Sequence, residues 1–355
     1  MKIYKNIYER IISAENLFAA WDVFRSGKRN RADVQEFEWR LEENILELGR
    51  DLLAKSYCHG PYRGFWIHDP KQRHIHKAMV RDRVLHHAIF CIINPIFEET
   101  FISTSFSCRR GLGAHKGVAV LERMARTVAR NGARNCFVLK CDIKKFFDSV
   151  DHKILLEILG KRIKDEDAMR LSESIIGSYA AAPIRERERE RVNASMGKGI
   201  PIGNLTSQFF ANVYMNEFDQ FMKHTFRVKD YVRYTDDFAI ASPDRAYLEN
   251  LIEPISAFLR YRLALALHPK KIVIRKLHQG IDFLGYVILP KHRLLRTKTR
   301  RRMFARFKAK AAAYRAGIIS EESLAASLQS YLGVMLHANT VRLAEEMKNF
   351  VWFAS

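Results

Sequence analysis

Cysteine is scarce. Only Cys58, Cys91, Cys108, Cys136 and Cys141 occur in 355 residues, and no two of them form a CxxC pair. Such an odd, scattered set suits neither a disulfide framework nor a zinc site, so reduced thiols are expected. No run of about 18 apolar residues occurs, so no segment reads as a membrane-crossing helix. The opening MKIYKNIYER is charged and lacks an apolar stretch ahead of a cleavage site. A cytoplasmic protein without a membrane partner is expected from this. Internal repeats, low-complexity linkers and a detachable second domain are also missing. Acidic residues are outnumbered, 39 Asp and Glu against 60 Lys and Arg, which leaves a formal charge of +21. A field of that size attracts polyanions, and nucleic acid is the expected partner. The alternatives are an anionic membrane surface or a basic exterior that only maintains solubility.

With 48% hydrophobic and 28% charged residues, the chain has the composition of a globular protein able to bury a core. Phe37, Leu41, Ile45, Leu48 and Leu52 keep one stripe at helical spacing, which predicts a helical entry segment to about Tyr57. Residues 60–80 carry two short apolar-aromatic pieces between glycines and prolines and read as a basic hairpin, with a helix after it. NCFVLKCDI (135–143) has the pattern of a buried strand ending at Asp142, followed by helical spacing. RERERER (185–191) is ambiguous: as a strand it puts arginines on one face and glutamates on the other. GIPIGNLTSQ (199–208) reads as a loop running into a helix that begins at FFANVYMNEFDQFM. YVRYTDDFAIAS reads as a hairpin with acids at its tip, and IVIRK and GIDFLGYVIL as further strands. From Lys291 to Ile319 there are eleven lysines and arginines and no acid, with helical periodicity continuing to Phe353.

An aspartate closing an apolar strand loses solvation unless something binds it, and Asp142 and the pair Asp236-Asp237 share that position. If their strands are neighbours, three carboxylates converge, and a hard divalent cation would offset their repulsion. In a basic protein this pattern suggests metal-assisted phosphoryl transfer. A lone Asp-Asp pair is otherwise a turn or a helix cap.

YTDD (234–237) between apolar arms resembles the metal-binding hairpin of reverse transcriptases, and DIKKFFDSVDH (142–152) resembles their first palm motif. In the same order, PKQRHI (70–75) and RDR (81–83) resemble finger motifs and FSCRRGLGAH (106–115) the segment after them. HPKKIVI (268–274) is similar to the next palm motif and FLGY (283–286) to the primer grip. The resemblance covers about residues 60 to 335. IPIGNLTSQ discriminates within the family. Most members carry glutamine before the glycine and proline after the serine, where this chain has Ile202 and Gln208. That variant, the compact length and the tail SYLGVMLHANT (330–340) resemble the diversity-generating retroelement reverse transcriptases.

The resemblance implies an α+β right-hand polymerase with an antiparallel palm sheet. It divides the chain into a helical extension (1–59), fingers (60–135), palm (136–290, with a finger-like insertion at about 160–200) and a helical thumb (291–355). It implies RNA-directed DNA synthesis on a template-repeat RNA, with errors at adenines, for diversification of a target gene. Two Mg²⁺ ions would be held by Asp142, Asp236, Asp237 and the backbone carbonyl of Ile143. Lys71 and Arg73 match the residues that clamp the triphosphate, and Ile202 and Gly203 would border the nucleotide. Of the two adjacent phenylalanines, Phe147 matches the steric gate that excludes a 2′-hydroxyl. Lys271, next to Lys270, matches the lysine that protonates pyrophosphate. Arg300, Arg301 and Arg302 open the cationic stretch expected on the template–primer duplex. The implied partners are template RNA, the RNA–cDNA duplex, dNTP and a small basic accessory variability protein. Two other readings stand beside this one: an intron-like or retron-like enzyme of ordinary fidelity, and a non-catalytic RNA-binding or antiphage scaffold.

Overall fold

The stripe read in the first fifty residues folds as four helices, α1 (Tyr8–Ile12), α2 (Ala14–Arg25), α3 (Ala32–Trp39) and α4 (Leu41–Leu53), with Ile45, Leu48 and Leu52 buried. The structure is a computed structural model that describes residues 2–68, 72–179 and 197–352. Lys71 and the RERERER segment lie outside the described residues. A hairpin of β1 (Arg63–Ile67) and β2 (Arg73–Lys77) leads into α5 (Val80–Glu98) and α6 (Ala114–Val128). β3 (Phe137–Asp142) is followed by α7 (Phe146–Ser149), α8 (His152–Gly160), α9 (Glu166–Ser178) and α10 (Leu205–Gln220). β4 (Tyr231–Tyr234), β5 (Asp237–Ser242), α11 (Arg245–Leu263) and β6 (Val273–Lys276) come next. β7 (Ile281–Phe283), β8 (Tyr286–Ile288) and β9 (Arg293–Leu295) precede α12 (Thr297–Arg315), α13 (Glu321–Met335) and α14 (Val341–Trp352).

Two details depart from the sequence pattern. The stretch from Lys291 opens with a strand, because Arg293–Leu295 pairs antiparallel with β8 before the helix starts at Thr297. The helix after the GIPIGN loop begins at Leu205, so Leu205 to Gln208 form its first turn.

The chain divides into two compact units. One comprises residues 1–108, 142–227 and 253–268. Its centre is α5 against α10, where Ile89, Ile93, Phe209, Phe210 and Val213 are buried and Phe209 meets Phe90 and Phe97 edge-on at 5.9 and 6.0 Å. The chain's start is pinned to the same unit through Asp165. Its carboxylate accepts the Ile7 and Tyr8 amides at 2.6 and 2.9 Å and caps α9 through the Ala168 amide at 3.0 Å. Burial alone would raise this carboxyl's pKa, but backbone donors from Tyr8, Ala168, Ile7 and Asp167 leave it below the usual 3.8. A depressed carboxyl stabilises the fold above its unfolded pKa and ceases to do so as pH falls through its folded value. Asp165→Ala is therefore expected to lower unfolding free energy by about 1–2 kcal/mol at pH 7. Chemical denaturation should show the difference from wild type shrinking as the pH is lowered below the usual carboxyl range.

The other unit comprises residues 109–141, 228–252 and 269–355. Its main sheet has the order β4-β5-β3-β6, with β4–β5 and β3–β6 antiparallel, and α6 packs on β4 and β5. A second antiparallel sheet runs β7-β8-β9. Tyr286 bridges outward from it: its hydroxyl lies 2.9 Å from His115 Nδ1 and donates to the Val334 carbonyl at 3.1 Å. His115 in turn stacks on His337 at 3.9 Å. On α12, Met303, Phe307 and Ala311 form the buried stripe, and α12, α13 and α14 pack together.

Candidate active site

The acids of YTDD are presented by a minimal turn. Tyr234 pairs with Asp237, which leaves Thr235 and Asp236 as a two-residue connection between β4 and β5. Thr235 adopts φ +54°, a left-handed conformation unusual for a β-branched residue. Arg233, fully buried on β4, donates from Nη1 to the Thr235 carbonyl at 3.0 Å and so braces that turn from below. Asp236 thus belongs to the turn and Asp237 to the strand, and all three acids, Asp142 included, are half-buried.

β3 lies next to β5 and ends at Asp142, while β5 begins at Asp237. Lys140 on β3 places its ammonium 3.4 Å from Asp237 Oδ2. Residues two apart on a strand share a face, so Asp142 projects from the same face as Lys140. A cation is therefore already part of the surroundings of Asp237. Among the described residues, no group of three or more His, Cys, Asp or Glu side chains is gathered as a closed metal centre would require. Carboxylate oxygens are donors of the kind Mg²⁺ takes, one or two at a time, with substrate phosphates and water completing its shell.

The residues matched to the nucleotide belong to one hydrogen-bonded framework. The Ile200 amide donates to the Phe147 carbonyl at 2.8 Å, and the Gly199 amide to the Val150 carbonyl at 2.7 Å. Two residues on, the Ile202 carbonyl accepts the His76 amide of β2 at 3.0 Å, and β2 begins at Arg73. Gly203, at φ +119°, comes so near this strand that a Cβ there would sit 2.7 Å from Ile75 Cγ2. Loop 199–204 thus joins the Phe147 segment to the Arg73 strand. Phe146 is 2% exposed and belongs to the core, whereas Phe147 is half-buried. Burial, and then His74 nearby, push the His76 imidazole down to about 4, so it is neutral at physiological pH. Arg73, exposed at the start of β2, supplies fixed positive charge there.

Lys271 is half-buried in the turn Pro269–Lys271 that precedes β6, and Lys270 is exposed. Arg300 and Arg301 are exposed on α12, and Arg302 is half-buried next to the Met303 stripe. α12 carries no acid, so its outward face is cationic throughout. RNA affinity is expected to fall linearly on a log–log salt plot, and neutralising Arg300, Arg301 and Arg302 together should flatten that slope by about two to three. An unchanged slope in filter binding would reduce these residues to a solvated face.

Sequence reasoning missed Arg233, Lys140 and Asn204. Arg233 had a signal, a single cation inside the apolar arm YVRY. Asn204 stood in the most discriminating motif, but nothing local shows what its side chain meets. Gln208, noted only as a departure, accepts the Cys108 thiol at 3.0 Å.

In one unit the β4–β5 hairpin presents Asp236 and Asp237; in the other, loop 199–204 ties the Phe147 segment to the strand that begins at Arg73. The model of the family "Reverse transcriptase (RNA-dependent DNA polymerase)" matches residues 68–288, more than half of the chain. The chain belongs to that family, with the family's RNA-directed DNA polymerase activity and right-hand fold. Among its relatives, Protein YkfC of Escherichia coli K12 is 25% identical over 297 residues, 74% of each chain. The group II intron-encoded protein LtrA of Lactococcus lactis is 23% identical over 312 residues, 70% of this chain and 50% of the relative. The chain therefore spans about half the length of that relative. A solved structure of apo telomerase from Candida tropicalis, truncated from its C-terminal domain, overlaps 70% of this chain and 59% of its own at TM-score 0.47 and 12% identity. No described helix is long and apolar enough to cross a membrane.

Proposed function

We propose that the protein makes error-prone cDNA from a template RNA for the diversification of a target gene. The observation that carries this reading is Ile202, which places a branched hydrocarbon in a loop tied to both the Phe147 segment and the Arg73 strand. This reading assigns residues 60–135 to fingers, 136–290 to palm and 291–355 to thumb. A primer 3′-hydroxyl attacks the α-phosphorus of a dNTP, and pyrophosphate departs. Asp142, Asp236, Asp237 and the Ile143 carbonyl would hold Mg²⁺, two ions in the resembled family, which when bound lowers the hydroxyl pKa and offsets phosphate charge. Arg73 orients the triphosphate, Phe147 lies where a 2′-hydroxyl would clash, and Lys271 protonates the leaving group. Lys71 assists Arg73, Gly203 lets the loop approach, and Arg300, Arg301 and Arg302 grip the duplex. The partners are template RNA, the RNA–cDNA duplex and a small basic accessory protein.

Glutamine at position 202 would offer an amide to the sugar or base, and isoleucine offers none. Losing one hydrogen bond, worth roughly 0.5–1.5 kcal/mol, relaxes discrimination several-fold without stopping synthesis. Ile202→Gln is expected to remain active and make fewer errors opposite template adenine, read by sequencing cDNA from a defined RNA. The preference for adenine rests on the family resemblance alone. The second reading, an intron-type enzyme of ordinary fidelity, is favoured by the similarity to the intron-encoded protein LtrA. Wild-type cDNA without excess errors at adenines would decide for it.

A further inference from the structure

β1 occupies one edge of β2, and in a two-stranded ribbon the other edge is left with amides and carbonyls in need of partners. Residues 202–204 supply them. The Ile202 carbonyl takes the His76 amide at 3.0 Å, as a paired strand would. The next two bonds come from a side chain. Asn204 Nδ2 donates to the His76 carbonyl at 2.9 Å, and its Oδ1 accepts the Ala78 amide at 3.3 Å. A carboxamide carries the same donor and acceptor as a peptide group, so Asn204 imitates one further residue of a third strand.

Asn204 also stands at the N-cap of α10, where an asparagine normally bonds its own helix. Here it makes no side-chain cap bond. The carboxamide is committed to β2 instead, at 2% exposure, where a lost partner is costly.

We infer that Asn204 is a positioning residue that fastens the nucleotide loop to the fingertip strand and thereby sets the affinity for the incoming dNTP. The inference rests on the polymerase reading above. Asn204 acts through its neighbours: β2 carries Arg73, and the loop carries Ile202 and is bonded to Phe147. Held together, these groups meet the nucleotide already arranged. Released, they must be ordered by it, which weakens binding while leaving the phosphoryl step of the bound complex alone.

Asn204→Asp isolates the junction, because aspartate caps a helix as well as asparagine and keeps the acceptor for Ala78, while an oxygen replaces the donor that faces the His76 carbonyl. Steady-state primer extension on a defined RNA, with active sites titrated, should show KM for dNTP raised about tenfold and kcat within about twofold of wild type. Amide hydrogen exchange in residues 74–78 should be faster, and RNA affinity unchanged. Asn204→Ala, which removes both bonds without adding charge, should shift KM the same way and serves if the aspartate variant does not fold. An active variant with faster exchange but wild-type KM would overturn this role. So would a defect confined to the active fraction, since that is what a merely structural residue produces. If the unaltered chain extends no primer, the polymerase reading fails, and the role of Asn204 with it.

Discussion

Asp236→Ala and Asp142→Ala are each expected to lower primer extension by on the order of a thousandfold or more. In the proposed reaction both carboxylates would hold divalent cations, whose chemistry when bound would be to lower the pKa of the attacking hydroxyl and offset phosphate charge. Remote binding does not replace that effect, because positioning a nucleotide leaves the charge of the phosphoryl transition state uncompensated. Folding should survive. Each acid is half-buried, so truncating it opens no cavity in the core; Asp236 and Asp237 are adjacent like charges, and Lys140 remains beside Asp237. The melting temperature should hold or rise slightly, and RNA affinity should match wild type. Asp237→Ala is expected to cost less than Asp236→Ala, since an ammonium already lies against Asp237 while Asp236 occupies the turn. Near-normal extension by the Asp236 or Asp142 variant would remove these residues from the mechanism.

Gly203→Ala should be the most damaging single methyl group in the nucleotide loop. Its Cβ would fall 2.7 Å from Ile75 Cγ2, and φ +119° is a conformation that residues with a side chain rarely adopt. Ile75 has a branched, stiff side chain on β2 and cannot swing aside as a long flexible one would. The loop must therefore leave the strand or the backbone must refold locally, at a cost of about 1–3 kcal/mol. Since Ile202 bonds to β2 directly before this glycine, dNTP use should suffer more than RNA binding. Expected results are a lower melting temperature and a KM for dNTP raised by more than tenfold, with RNA affinity intact. A variant with wild-type KM and stability would mean that the loop and β2 are not held in the arrangement described.

Much of the candidate site is legible in the sequence because its signals are local. Asp142 ends an apolar run, Asp236 and Asp237 interrupt another, and a carboxylate in such a place is conspicuous without any knowledge of what surrounds it. The positive field, and the acid-free stretch that became α12, follow from composition alone. Helices α4, α5 and α8 follow from spacing, because apolar residues three and four apart must share a face. Local signals also account for the errors. Arg293–Leu295 carries no strand pattern of its own and became β9 only because β8 offered an edge, and Leu205–Gln208 became helical with Asn204 at its cap.

What the sequence by itself determined is the family, the identity of the acids and the sign of the charge, since each depends on residue type and order. The tertiary structure decided which groups meet. The amide of Ala78 finds the Asn204 side chain across 126 residues of chain, and Lys140 finds Asp237 only because β3 lies beside β5. It also decided that Arg233 turns inward to the Thr235 carbonyl and that Phe146 is buried while Phe147 is half-exposed. The physical reason is that periodicity encodes which face of an element is apolar, whereas hydrogen bonds between distant segments depend on positions that exist only after those faces have packed.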